Sequence, residues 1–413
     1  MKVALFHNYY AQRGGEDEIF EMECRELERL GHDVVTYSVN NDKVLAGKSL
    51  FGKARLAWEA PNNRDSYYDV FEFLNTHQPD IGHVHNWFPV ISPSIYRAHE
   101  DFGIPVVQTL HNYRLGCANG TYRRNGAACE KCLCHGKMNA VKHRCYRESL
   151  VGSYSWKRIM DKIWGDRVVI EKVDQYICPS EEVAQRHLKM GLPKERISVI
   201  WNACEDPGRL LLDKQDDEGN GGVVFLGRLV DEKGVDVLIE AWKQLQQESI
   251  FSHRNGSKDL TIIGEGDASP TLKQLAGDCA NIEFTGQLPH DEAMHRLSEA
   301  SVLVFPSRWA EPFGLGIIEA MAAGKAVVAS NIGAPKELID DNVDGVLVPP
   351  ENSQALAASL SGLLINSKRT RRIGRAARAK YELNFKANVH AQRLVRLYAK
   401  TIIKRGENNF LRN

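Results

Sequence analysis

Glu311-Pro312-Phe313-Gly314-Leu315-Gly316-Ile317-Ile318-Glu319 follows the short apolar run Ser301 to Pro306 and opens an apolar segment that stops at Gly324. The run reads as a buried strand, the segment as a helix with Pro312 in its first turn and a glycine stop. Strand, loop and helix in that order form the repeating unit of a doubly wound α/β sheet, whose ligands sit at the carboxyl ends of the strands. On this reading Glu311 stands at the helix mouth and Glu319 about two turns in. Eight residues at 1.5 Å each separate them by roughly 12 Å, the span of a diphosphate between a sugar and a ribose. Between them the amides of Phe313, Gly314 and Leu315 lack intrahelical partners and favour an anion. Glu caps a helix less well than Asp or Ser, so Glu311 is expected to have another task. The plainer alternative is an acidic helix start followed by an exposed Glu.

A chain of 413 residues holds two or three domains by length. Its 53 basic and 53 acidic residues cancel, which gives no reason to expect a nucleic-acid partner. No apolar run approaches the roughly 18 residues of a membrane span. Met1-Lys-Val-Ala-Leu-Phe-His turns polar too early for a signal-peptide core. The expected location is the cytoplasm, with the inner membrane face as a peripheral site. Nine cysteines, five of them between 117 and 145, fit thiols or a metal better than a disulfide framework.

The chain opens with a strand, Lys2 to Phe6, a loop ending in Arg13-Gly14-Gly15, a helix to Leu30 and a strand from Asp33. Gly14 and Gly15 let backbone approach a ligand or make a plain tight turn. Neither a G-x-G-x-x-G nor a P-loop pattern occurs. Strands at Asp80–His85 and Pro105–Leu110 each run into a His-Asn pair, His85-Asn86 and His111-Asn112. Two such histidines at equivalent strand ends point to substrate contact, His111 more than His85. Cys117, Cys129, Cys132 and Cys145 place four thiols in 29 residues of a Gly-, Asn- and Arg-rich loop. Structural zinc is one reading; free thiols or a redox pair are the others, and Cys134 or His135 could replace a ligand.

Between Tyr154 and Ile170, Trp156, Ile159, Met160, Ile163 and Trp164 form a helical apolar stripe. Residues 137–172 carry nine Lys/Arg against four Asp/Glu, so the helix reads either as an interfacial element for anionic lipid or as a core helix with a solvated basic face. Residues 204–222 read as a linker. The second half, 223–384, repeats the α/β grammar: strand Val223–Gly227, then Arg228 and Lys233 in the loop, cations that suit a diphosphate. Gly264 and Gly286 at later strand ends suit a flat base. Phe385 to Lys400 is a final helix.

Gly227-Arg228-x4-Lys233-Gly234, Glu311-x7-Glu319 with Pro-Phe-Gly inside, and the early Gly14-Gly15 loop together resemble the retaining glycosyltransferases of family four. The resemblance covers nearly the whole chain. It implies a GT-B fold, two Rossmann-like domains facing across a cleft: residues 1–203 for the acceptor, 223–384 for the donor, and a last helix, 385–413, crossing back to the first. It implies a UDP- or GDP-sugar donor, transfer with retention, and no cofactor. By the resemblance Arg228 and Lys233 neutralise the leaving diphosphate, Glu311 contacts sugar hydroxyls, Glu319 holds the ribose, and His111 lies near the reactive carbon. Phe313, Gly314 and Leu315 complete the donor site; His85, Asn86 and Asn112 face the acceptor. The cysteine-rich insert resembles a subgroup found in bacterial polysaccharide assembly, which implies a glycan or lipid-linked acceptor. A catalytically inactive scaffold on the same fold, or a nucleotide-sugar epimerase or phosphorylase, are the competing readings.

Overall fold

The computed structural model describes residues 1–10, 14–41, 44, 49–165, 168–208, 221–247, 260–279 and 281–410. Arg13, Arg167, most of the expected linker (209–220), the polar insertion 249–259 and the terminal 411–413 lie outside the described residues. The chain divides into two compact units: Met1–Asn202 together with Ala387–Asn413, and Ala203–Lys386.

The first unit is built on a six-stranded sheet in the order β2-β1-β3-β4-β7-β8, parallel throughout. Its strands are β1 (Lys2–Tyr9), β2 (Asp33–Asn40), β3 (Ile81–Asn86), β4 (Val106–Thr109), β7 (Gln175–Cys178) and β8 (Ile197–Val199). Val3 to Phe6 and Ile81 are fully buried, as expected of strands covered on both faces. β1 runs three residues past the expected Phe6. His7, Asn8 and Tyr9 keep pairing with β2, which itself extends to Asn40, so His7 and Asn8 are core rather than loop. Helix α1 (Gly15–Arg29) buries Ile19, Phe20 and Leu27 against this sheet. The last helix, α6 (Ala387–Phe410), completes the same unit: Leu394 and Tyr398 share a core with Val3, Leu5, Phe20, Leu27 and Val107.

Two short antiparallel strands, β5 (Arg123–Arg124) and β6 (Ala127–Ala128), and the single-turn helix α2 (Lys131–Cys134) make up the insert before helix α3 (Leu150–Gly165). Of the expected stripe on α3, Trp156, Ile159, Met160 and Ile163 are at most 1 % exposed. Trp156 Nε1 donates to Arg114 O (2.8 Å) and Trp164 Nε1 to Leu115 O (3.0 Å). The interfacial reading of 154–170 is corrected accordingly: the face that would enter lipid is already filled by protein. Lys157 is paired with Asp161, and Arg158 lies over the Trp58 ring.

The second unit holds another all-parallel six-stranded sheet, β11-β10-β9-β12-β13-β14. Its strands are β9 (Val223–Leu226), β10 (Leu260–Ile263), β11 (Ile282–Gly286), β12 (Val302–Phe305), β13 (Ala326–Ser330) and β14 (Val346–Val348). Helix α4 (Val235–Gln247) follows β9 and buries Leu238, Ile239, Trp242 and Leu245 in a core with Val223, Phe225 and Val304. Helix α5 (Leu315–Ala322) follows β12.

The Tyr398 hydroxyl lies 2.6 Å from His83 Nδ1, tying α6 to β3 at full burial. Tyr398→Phe keeps the ring and leaves that nitrogen only its 3.3 Å contact with Glu23 Oε2. It is expected to cost about 1–3 kcal/mol, seen as a lower urea midpoint at unchanged m-value. An unchanged midpoint would show that the bond contributes nothing.

Candidate functional site

In the second unit the chain leaves β9 toward β10 on one side while β12 lies on the other, so the sheet reverses direction between β9 and β12. Such switch points open a crevice at the strands' carboxyl ends. Arg228 follows β9 there and Glu311 follows β12. Arg228 is exposed. Lys233 closes a single 3₁₀ turn, Asp231–Lys233, before Gly234 at φ 65°. Its Nζ donates to Glu311 Oε1 (2.7 Å), which also accepts from Trp309 Nε1 (2.8 Å) and from Ser307 Oγ. Arg308 holds the turn itself, bonding Asp231 and Asp236 at 2.7 Å each, while its amide donates to Glu232 O (3.0 Å). Ser307, Arg308 and Trp309 escaped the sequence reading, since nothing in Ser-Arg-Trp marks a clamp on a loop 70 residues earlier.

Helix α5 starts at Leu315, with Gly314 at φ 137° as its N-cap, rather than at Pro312. A residue at that φ cannot belong to the helix, so the Pro-at-N1 statistic fails here. The unpaired first-turn amides shift to Leu315 and Gly316, since Ile317 N–H returns to Gly314 O. Phe313 is buried against Phe385. Only the last four steps from Glu311 to Glu319 are helical, which shortens the expected axial span to roughly 6 Å plus a loop. A Cβ on Gly316 would stand 3.8 Å from Leu226 O, so the helix mouth abuts the end of β9, beside Arg228. Glu319 is buried and close to Cys204, whose thiol is pushed up by burial first and by Glu319 second. Gly264 is also required by the backbone itself. At φ 138° it lies so close to Gly227 that a Cβ would fall 1.9 Å from Gly227 O, and its amide donates to Gly286 O (2.9 Å).

The first unit has its own switch point, between β1 and β3. Gly14 is the N-cap of α1, its amide donating to Asp17 Oδ2 (2.9 Å), and Gly15 opens the helix. Asp17 Oδ1 accepts from His7 Nε2 (2.6 Å). Glu23, one face further along α1, is 1 % exposed and meets three imidazoles: His390 Nε2 at 2.9 Å, His85 Nε2 at 3.2 Å and His83 Nδ1 at 3.3 Å. His85 Nδ1 lies 3.1 Å from His111 Nε2, so the two histidines picked from sequence do converge. Burial works against the Glu23 carboxylate, but His85, His83 and His390 outweigh it and hold the group well below the usual range. Burial, then the neighbouring His85, holds His111 well below the ordinary imidazole value. Glu23, His83 and His85 present ligand atoms within 4.8 Å of one another. Both nitrogens of His83 are nonetheless taken, by Thr109 Oγ1 (2.7 Å) and Tyr398, which makes the trio a charge-compensating network.

Asn86 and Asn112 are engaged within the protein. Asn86 bonds Asn8 O and Phe88 N–H, and Asn112 Oδ1 accepts from Arg114 N–H. Near them Arg114 lies over Tyr10 (5.1 Å) and Phe88 (5.4 Å). Burial pushes the Glu16 carboxyl up to about 7 against the pull of Arg114. His7, Asp17, Glu23, His83 and His390 carried no sequence signal. Glu23 sits on a helix that reads as ordinary amphipathic, and His390 is 367 residues away.

Residues 14–206 match the Glycosyltransferase Family 4 domain, and residues 213–380 match Glycosyl transferases group 1. Glycogen synthase of Mycobacterium tuberculosis is 28% identical over 80% of this chain and 70% of its own length. The amylovoran biosynthesis glycosyltransferase AmsK of Erwinia amylovora is 31% identical over 53% of this chain and 51% of its own. Among solved structures, Anabaena HepE in complex with UDP superposes with a TM-score of 0.67 at 17% identity, covering 97% of this chain and 100% of that one.

The buried histidines predict acid sensitivity. His83 and His111 are held well below the ordinary value and His99 and His187 at about 4, in each case by burial first. The unfolded chain therefore binds more protons below about pH 6.5, and the stability these groups contribute above that pH is lost as pH falls, at about 1.4 kcal/mol per pH unit per group. Glu16, shifted upward, offsets one such group between about 7 and 4.5. Denaturant titrations should show a fall of several kcal/mol between pH 6.5 and 5. A flat profile would mean that these imidazoles are solvated.

Proposed function

We propose, for a chain that is a GT-B glycosyltransferase with a family 4-like first half and a group 1 second half, that it moves a sugar with retention from a nucleoside-diphosphate sugar to a hydroxyl of a glycan or lipid-linked acceptor, in the assembly of a bacterial surface polysaccharide. One observation carries the donor half of this reading: Arg228, Lys233 and the free amides opening α5 gather at the β9/β12 switch point. Two cations and a helix mouth suit the charge that grows on a departing diphosphate. Lys233 has three donors, one of them engaged by Glu311, which leaves the others for phosphate oxygens. Glu311 Oε1 is filled by three donors, so its other oxygen is the atom for a sugar hydroxyl. Glu319, one turn into α5, is placed for ribose hydroxyls.

In the reaction the bond from the anomeric carbon to the phosphate oxygen breaks and its electron pair leaves with the diphosphate. The acceptor oxygen bonds to the same face of that carbon, and its proton passes to a donor phosphate oxygen. The chain's residues bind, orient and neutralise; no bridging metal is needed where two cations already face the phosphates. To His111, kept neutral by burial, we assign a hydrogen bond with a sugar hydroxyl. HepE was solved with UDP, which favours uridine as the base, and AmsK is named for amylovoran biosynthesis, which favours an exopolysaccharide role.

Lys233→Ala and Glu319→Ala are each expected to lower kcat/KM by ~10²-fold or more. A panel of nucleotide sugars should raise Tm selectively for one donor in the wild type, and less in these variants. Near-normal turnover in both variants would reject the site, and a panel without any shift would reject the donor class.

A further inference from the structure

At the carboxyl ends of β1, β3 and β4 in the first unit, one charged side chain is only partly used by the protein. Arg114 lies in the loop that leaves β4 through His111 and Asn112. Its backbone is pinned on both sides: the N–H donates to Asn112 Oδ1 (2.9 Å), and the carbonyl accepts from Trp156 Nε1 of α3 (2.8 Å). The guanidinium lies over the rings of Tyr10 and Phe88. Its Nη1 donates to the Tyr10 hydroxyl, which in turn donates to Asn86 Oδ1 (3.4 Å). Phe88 meets Tyr146 edge-on, with ring centroids 5.4 Å apart. Tyr10, Phe88, Tyr146 and Arg114 thus form one contiguous cluster of three rings and a cation.

Several polar groups of this cluster are unfilled. Arg114 Nε is buried without a hydrogen bond, and Nη1 is the only guanidinium nitrogen bonded among the described residues. Nε and Nη2 make up the side-on fork of the group, two parallel N–H donors. A buried donor without a partner is rare enough to call for a ligand that supplies one. Glu16 stands in the first turn of α1, which the His7–Asp17 bond ties to β1, the strand that leads to Tyr10. It is half-buried and makes no hydrogen bond or ion pair among the described residues. Its charge and that of Arg114 act on each other, and Tyr10 feels both. The Tyr146 hydroxyl also has no partner among the described residues.

Opposite charges that act on each other without bonding suit a ligand rich in hydroxyls. A hydroxyl donates its proton to a carboxylate while its oxygen accepts from a guanidinium. Aromatic rings beside a few such polar groups are the usual lining of a small-molecule site, and they pack against the C–H faces of a sugar. A phosphate or a carboxylate would fill the Arg114 fork but meet Glu16 as a like charge. We propose, resting on the sugar-transfer reading above, that Glu16, Arg114 and Tyr146 hold an uncharged sugar of the acceptor by its hydroxyls, against the rings of Tyr10 and Phe88. The pinned backbone of Arg114 keeps the fork in place before the sugar arrives, so little ordering is left for binding to do. Arg114 shares the loop after β4 with His111, which sets the subsite beside the histidine assigned above to a sugar hydroxyl.

Saturation-transfer NMR on the full chain, with UDP or GDP present, tests this with simple probes: the methyl pyranosides of glucose, galactose and mannose, set against methyl glucuronide and glucose 1-phosphate. At least one neutral hexoside is expected to bind the wild type in preference to both anions. Glu16→Gln and Arg114→Gln should each weaken it by about tenfold or more, with the affinity for the nucleotide unchanged. Should Arg114→Gln fail to fold, Glu16→Gln, on a half-buried first turn, still decides. No neutral hexoside bound by the wild type, or undiminished binding in Glu16→Gln, overturns the proposal. So does a preference for glucuronide or glucose 1-phosphate, which would give Arg114 to an anion. Hexoside binding that is lost in the variants, in a chain that takes no nucleotide sugar, would keep the subsite and reject the transfer reading.

Discussion

The bond from Lys233 to Glu311 spans 78 residues and joins the loop after β9 to the loop after β12. It crosses the point where the strand order of the second sheet reverses, so it fixes the distance between those two loops. Both partners are largely withdrawn from water, with side-chain exposures of 18% and 7%. Removing one partner of such a pair leaves an uncompensated charge, typically at 3–5 kcal/mol. Ser307 and Trp309 add two donors at Glu311 Oε1, and Arg308 holds the Lys233 turn through Asp231 and Asp236. The pair is therefore a scaffold around which the two loops are arranged.

The first unit solves the same problem with imidazoles. A single buried carboxylate, Glu23, is surrounded by His83, His85 and His390. His390 Nδ1 faces Trp201 O, which only accepts, so that nitrogen carries a proton. Its other nitrogen faces Glu23 at 2.9 Å, where one more proton lies between carboxylate and imidazole. The last helix is thus held to α1 by a shared proton and to β3 by the Tyr398 hydroxyl.

The sheets were legible because parallel strands covered on both faces read as unbroken apolar runs: Val3–Phe6, Val223–Phe225 and Val302–Phe305 are buried as such a pattern demands. Strand-end residues were legible for the same reason, since a polar residue leaving a buried run has few places to go. His85 and His111, chosen on that ground, lie 3.1 Å apart. The start of α5 was misplaced because Pro at N1 is a statistical preference, whereas the φ of Gly314 is set by Ile317 and Leu338 packed beside it. The stripe on α3 could not be assigned from periodicity, because a core face and a lipid face have the same spacing; the indole bonds to Arg114 and Leu115 decide it. Glu23 was beyond reach, since a carboxylate on a helix with Asp17, Glu18 and Glu21 nearby reads as one more solvated charge.

The proton bookkeeping around Glu23 extends to His111. An ionised carboxylate 3.2 Å from His85 Nε2 draws the ring's proton to that nitrogen, although the contact is too bent for a good hydrogen bond and both atoms lack a better partner. His85 Nδ1 is then an acceptor, and the 3.1 Å contact requires His111 to donate from Nε2. A neutral imidazole has one donor and one acceptor, so His111 is left with Nδ1 as its accepting atom. A histidine held this way accepts a hydrogen bond at Nδ1 without becoming a cation. The buried carboxylate, two side chains removed, thereby sets which nitrogen of His111 donates and which accepts.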